Sequence, residues 1–155
     1  MKTNKISQYW VLSIILLVTL ILILYFRIDI NTGNSMEPCF YKNDIIVSTK
    51  IISLGTSPFY VINYYNILIL KKIAGYDDDI VEFTNGSLFV NNSLDQNNLI
   101  FYNYTGRFIP GHGNFFFVSL NPSGISSIDS GILDKKCIVS RVLFSFNLKR
   151  GITFK

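Results

Sequence analysis

The chain has 155 residues, room for one domain but not two. Hydrophobic residues make up 49%, charged residues only 15%, and mean hydropathy is +0.35, which excludes intrinsic disorder and points toward a membrane. The net charge of +4 does not mark a nucleic-acid binder: Lys2, Lys5 and Arg27 stand without an acid in residues 1–27, and beyond them 11 bases face 10 acids.

The first predicted element is the run from Ile6 to Phe26, which carries no charge. As a helix it would span about 30 Å, the hydrocarbon thickness of a bilayer. Tyr9, Trp10 and Tyr25 suit the two interfaces. A cleaved secretory signal is the alternative, but it ends in small residues, whereas this run ends Tyr25-Phe26-Arg27-Ile28-Asp29. A retained transmembrane helix is therefore expected over 6–26. Lys2 and Lys5 predict that residues 1–5 are cytoplasmic and residues 28–155 extracytoplasmic, with Arg27 reducing the charge bias to two against one.

Residues 28–155 read as a single mainly β domain. Strands are predicted at Ile45–Val47, Ile67–Leu70, Phe115–Val118 and Ile138–Phe146. A hairpin is predicted over residues 80–90, because Asn85-Gly86 suits the positive φ angles of a type I′ turn. Beyond the anchor no stretch has a helical period, and Pro58, Pro110 and Pro122 punctuate loops. The Asn-rich tract around Asn91–Asn98 reads as compositional bias. Cys39 and Cys137 are permitted a disulfide outside the cytoplasm, and spacing does not decide it. Two thiols and the single His112, set between glycines in a turn, do not make a metal site.

Three motifs remain. Gly33-Asn34-Ser35-Met36-Glu37-Pro38 follows the anchor, the apolar strand Ile67–Leu70 runs into Lys71-Lys72-Ile73-Ala74-Gly75-Tyr76-Asp77-Asp78-Asp79-Ile80-Val81, and Ser126-Ser127-Ile128-Asp129-Ser130-Gly131 lies near the end. Singly they read as a turn, a solvated strand end and a loop. Together, behind one anchor, they resemble the boxes of the type I signal peptidases, membrane-bound serine proteases with a Ser/Lys dyad. The first box, Gly-x-Ser-Met-x-Pro, is matched at every fixed position. In the second, Lys71, Gly75, Asp79 and Val81 match, Lys72 replaces an Arg, and Asp77-Asp78 replace Pro-Gly. In the third, Ser127, Asp129 and Ser130 match, and Gly131 stands where the family has Arg.

The resemblance implies a signal-peptidase-like β fold, shared with LexA-like repressors, behind one transmembrane helix in a bacterial cytoplasmic membrane. It implies a hydrolase that cuts signal peptides from exported precursor proteins through an acyl-enzyme, with no cofactor. Ser35 would be the nucleophile and Lys71 its base. The Ser35 N–H would serve as one oxyanion donor. Some relatives place a hydroxyl at the position of Gly33, so here a second donor falls to backbone or Thr32. Ser127 would orient the Lys71 amine, Asp129 would lie near the site with Arg141 or Lys72 as partner, and Lys72 would be outward or structural. Met36, Leu68 and Leu70 would line pockets for small residues beside an extended substrate.

Elementary chemistry agrees with a lysine base. A serine hydroxyl needs a base, and a lysine serves if burial lowers its pKa by roughly 3 units, on the order of 4 kcal/mol. Adjacent strand residues face opposite ways, so Lys71 and Lys72 cannot both enter one site. Val90-Asn91-Asn92, Asp95 and Gly106-Arg107-Phe108-Ile109-Pro110 also resemble features of the conjugative-transfer (TraF-like) peptidases, which process pilin precursors, so that narrower substrate stays open. A LexA-like self-cleaving regulator lacks support from the anchor and from the absence of a basic domain. A catalytically inactive membrane β scaffold also stays open, because the third box has lost its Arg.

Overall fold

The computed structural model describes residues 5–55, 58–95, 104–121 and 123–154, with side chains from Tyr9 onward. The expected cytoplasmic residues 1–4, Pro122 and part of the Asn-rich tract lie outside the described residues. The helix α1 covers Lys5–Tyr25, and Phe26, expected to end the anchor, instead begins the first strand. Every described side chain of α1 is exposed, including Trp10 at 69% and Leu16 at 70%. Among the described residues no helix is long and apolar enough to cross a membrane.

The rest is mainly β, as its alternating and β-branched sequence predicts. The strands are β1 (Phe26–Ile30), β2 (Ile45–Thr49), β3 (Phe59–Tyr64), β4 (Ile67–Asp77), β5 (Val81–Thr84), β6 (Ser87–Val90), β7 (Ser93–Leu94), β8 (Gly106–Phe108), β9 (Gly111–Val118), β10 (Leu133–Asp134), β11 (Ile138–Asn147) and β12 (Gly151–Phe154). A four-residue helix α2 (Ser127–Ser130), which no helical period announced, interrupts the run between β9 and β10. The main antiparallel sheet has the order β1-β2-β11-β3-β4-β9-β10, with β12 also paired to β11, and a smaller sheet has the order β7-β6-β5-β8. The β5–β6 hairpin pairs Thr84 with Ser87, and Asn85 (φ 49°) and Gly86 (φ 78°) both take the left-handed conformation that its turn requires.

The core explains why β9 carries an unbroken Phe115-Phe116-Phe117-Val118 run. Phe115 and Phe117 pack with Tyr60, Ile62, Ile73 and Ile138, while Phe116 and Val118 pack with Val81, Phe83 and Leu88 of the smaller sheet. A strand buried on both faces has no need of polar alternation. A third cluster, Met36, Phe40, Ile46, Phe59 and Val142, underlies the segment between β1 and β2.

The outer face of the main sheet is also apolar. Ile28, Val47, Phe144 and Phe154 form one cross-strand row, and Ile30, Ile45, Phe146 and Ile152 the next. Ile28 is 71% and Phe154 78% exposed. The cysteines are free and half-buried, Cys39 beside the Met36 cluster and Cys137 beside the Tyr60 cluster.

Candidate active site

Among the described residues β1 and the first part of β4 each lack a strand partner on one side, and a cleft lies between them. β4 pairs with β3 from Ile67 onward, but its pairing with β9 begins only at Lys72. Across the cleft stands the chain that leaves β1, the first strand of the sheet. The cleft has a volume of about 270 Å³; Asp29–Gly33 and Ser35 form one wall, Val61 and Ile67–Leu70 the other. An open strand edge beside a cleft is the geometry that accepts an extended peptide.

Ser35 lines this cleft at the head of a tight turn closed by Glu37 N–H on the Asn34 carbonyl and Phe40 N–H on the Met36 carbonyl. The side chains of Met36 and Phe40 anchor the turn in the core, at 1% and 0% exposure. Met36, expected to line a substrate pocket, is therefore a buried support, whereas Leu68 and Leu70 do line the cleft. The Ser35 carbonyl accepts N–H bonds from Leu120 and Asn121, both at 2.9 Å. Among the described residues, the Ser35 N–H and hydroxyl have no hydrogen-bond partner, so both are available to a bound group. Gly33 and Thr32 are exposed cleft residues. A Cβ at Gly33 would lie 4.0 Å from the Ser35 nitrogen, an ordinary contact distance.

Lys71 emerges where the buried part of β4 begins and is 2% exposed. Its Nζ donates to Ser119 Oγ at 2.5 Å, and Ser119 Oγ donates to the Ile125 carbonyl at 2.8 Å. Burial lowers the Lys71 pKa from 10.5 to about 8, partly opposed by the charge of Asp129. Gly124 joins this group: a Cβ there would lie 2.6 Å from Ser35 Cβ and under 3.0 Å from Ser119 Oγ. Only a residue without a side chain fits against both serines. Ser119 and Gly124 thus link Lys71 to Ser35, which lines the cleft.

Ser127 and Asp129 are placed otherwise than expected. Ser127 Oγ accepts the Phe117 N–H at 2.9 Å and ties α2 to β9, whereas the Lys71 amine is held by Ser119. Asp129 turns back on its own helix, accepting from Ser126 N–H at 3.2 Å and Ser126 Oγ at 3.0 Å. It acts on Lys71 only through its charge. Gly131, with φ 83°, occupies a left-handed position that costs an arginine more than a glycine.

Lys72 does point away from Lys71, but the opposite face of β4 is covered too. It is 4% exposed and forms an ion pair with Asp95. The other retained residues of the second motif are architectural. A Cβ at Gly75 would lie 2.5 Å from Val81 Cγ2, and the Asp79 carboxylate accepts from Tyr76 N–H and Asn91 Nδ2. His112 is remote in role: its side chain is 98% exposed, 3.8 Å from Asp77.

Ser119 is the residue that sequence reasoning missed. Its signal was a serine at the end of a buried Phe run, directly before the loop that returns to Ser35. Among the described residues no three His, Cys, Asp or Glu side chains gather to hold a metal ion. No protein-family model matches the chain, and no curated protein is significantly similar to it.

Proposed function

We propose that this protein is a Ser/Lys serine endopeptidase that removes signal peptides from exported precursor proteins at a membrane surface. The observation that carries the reading is a buried lysine linked through Ser119 and Gly124 to a serine that lines an open-edged cleft. Burial makes Lys71 a base near neutral pH, which a solvated lysine is not. The neutral amine takes the Ser35 proton as Oγ attacks the scissile carbonyl, the Ser35 N–H and the Thr32 side receive the oxyanion, and the Lys71 ammonium then protonates the leaving amine. Lys71 next activates the water that releases the acyl group from Ser35. The precursor lies extended along Ile67–Leu70, its backbone completing the open edge of β4.

Membrane attachment is supported by two surfaces. α1 is apolar and exposed all round, a state that water does not favour, and the two apolar rows of the outer sheet face follow it directly along β1. The orientation read from Lys2 and Lys5 puts the cleft on the extracytoplasmic side of a bacterial cytoplasmic membrane. Pilin precursors are a narrower substrate class of the same chemistry.

The test is cleavage of a radiolabelled precursor by membranes carrying the protein. Ser35→Ala and Lys71→Ala should each lower the rate by 10³-fold or more. The wild-type rate should rise with pH to a midpoint near 8, where Lys71 loses its proton. Undiminished cleavage by both variants, or a rate unchanged from about pH 9 down to 5, would refute the proposal.

A further inference from the structure

We infer that Ser119, and not Ser127, is the residue that positions the Lys71 amine, with the Ile125 carbonyl fixing the direction of its hydrogen bond. The inference rests on the Ser/Lys reading and assigns a new part within that site.

A serine hydroxyl has one proton to donate and two lone pairs. The Ser119 proton goes to the Ile125 carbonyl at 2.8 Å, so its 2.5 Å contact with Lys71 Nζ must be one in which the lysine donates. Reversal would cost the Ser119–Ile125 hydrogen bond, at a serine that is itself 1% exposed. One Lys71 N–H is therefore committed to Ser119 in the neutral amine as well as in the ammonium. This stops free rotation about Cε–Nζ and turns the lone pair of the neutral amine away from Ser119, leaving it free for the Ser35 proton that the proposed mechanism transfers.

The same loop sets the other half of the dyad. Leu120 and Asn121, the next two residues, give their N–H groups to the Ser35 carbonyl. Gly124 lies against Ser35 and Ser119 together. A single turn of chain thus fixes the nucleophile by its backbone and the base by a side chain. Among the described residues Ser127 makes no hydrogen bond to Lys71, whose Nζ is bonded to Ser119, and its oxygen accepts the Phe117 N–H. The charged group that acts on Lys71 is Asp129, while Lys72 and Asp95 pair on the opposite face of β4.

Ser119→Ala, Ser119→Cys and Ser127→Ala in the full-length chain test this, with kcat, KM and the pH–rate midpoint measured on one precursor. Circular dichroism establishes which variants are folded. Ser119→Ala should lower kcat about 10- to 100-fold, leave KM within about twofold and move the midpoint to lower pH, because the ammonium loses an acceptor while its burial remains. Ser119→Cys keeps the shape with a weaker acceptor, and should move kcat and midpoint in the same direction by less. Ser127→Ala should lower thermal stability and leave the midpoint unchanged. Wild-type kcat and midpoint in a folded Ser119→Ala or Ser119→Cys, or the midpoint shift appearing in Ser127→Ala, overturns the inference. Ser35→Ala separates the two levels: cleavage that survives it sinks the Ser/Lys reading itself, whereas an inactive Ser35→Ala beside a fully active Ser119→Ala sinks only the role of Ser119.

Discussion

Replacing Lys71 with methionine should make the protein more stable while abolishing its proposed activity. Methionine keeps most of the side-chain volume and removes a group whose charged form the fold disfavours. The lysine pKa falls from 10.5 to about 8 on folding. At about 1.4 kcal/mol per pH unit, that is a cost of about 3 kcal/mol at pH 7. Loss of the bond to Ser119 returns about 1 kcal/mol, so the net gain is about 2 kcal/mol. Below pH 8 the folded and unfolded chains both hold the proton, and the full cost is present. Between pH 8 and 10.5 the unfolded chain holds it and the folded chain does not, so wild-type stability rises with pH and the advantage of methionine shrinks. Chemical denaturation of both proteins in the same detergent, at pH 7 and at pH 10, measures this. A Lys71→Met protein less stable than wild type at pH 7, or an advantage that grows toward pH 10, would refute the reasoning.

Two further substitutions separate the site from its scaffold. Gly124→Ala puts a methyl group against Ser35 and Ser119, so the cleavage rate should drop about 100-fold with a stability loss of about 1–3 kcal/mol. Gly75→Ala meets Val81 instead and should cost similar stability by denaturation while the rate at permissive temperature is kept. Asp44 is the buried hub that joins the β1–β2 segment to the β11–β12 turn, accepting from Tyr41 N–H, Asn147 Nδ2 and Arg150 Nη2. Burial works to raise its pKa, and those three donors outweigh it and hold the carboxyl below its ordinary range. Its contribution to stability is therefore present above about pH 4 and is lost as pH falls through the lowered value. Asp44→Ala should cost about 2 kcal/mol at pH 7 and remove part of the acid sensitivity of unfolding.

The β elements were legible where local chemistry dictates them. Asn85-Gly86 specifies its turn, and the Phe115–Val118 run declares a strand buried on both faces. β1 was hidden because Phe26 and Ile28 continue the apolar character of the helix, and composition does not mark where a helical period becomes a strand period. The strand leading to Lys71 was legible from four apolar residues, although they are its cleft-facing half, Ile67 64% and Leu68 45% exposed, and not the core half that the sequence suggested. The burial of Lys72 was not legible, since Asp95 reaches it from the smaller sheet and no local pattern links the two. Ser119 was missed for a related reason. Its role exists only once the following loop folds back on Ser35, whereas Ser127 sits in a motif whose spacing invites the assignment.

The junction of α1 and β1 has a mechanical consequence. Tyr25 ends the helix and Phe26 begins the strand with no residue between them. Lys50 clamps the joint, its backbone N–H on the Tyr25 carbonyl and its Nζ on the Ile23 carbonyl, both at 2.9 Å. Asp29, which lines the cleft, is three residues along the strand, about 10 Å at a strand's rise. A hinged linker would let the cleft wander. Here, whatever holds α1 also holds the cleft at one height, and for the proposed activity the joint would work as a depth gauge: bonds offered at that level would be within reach of Ser35, and the same peptide displaced by a few residues would not.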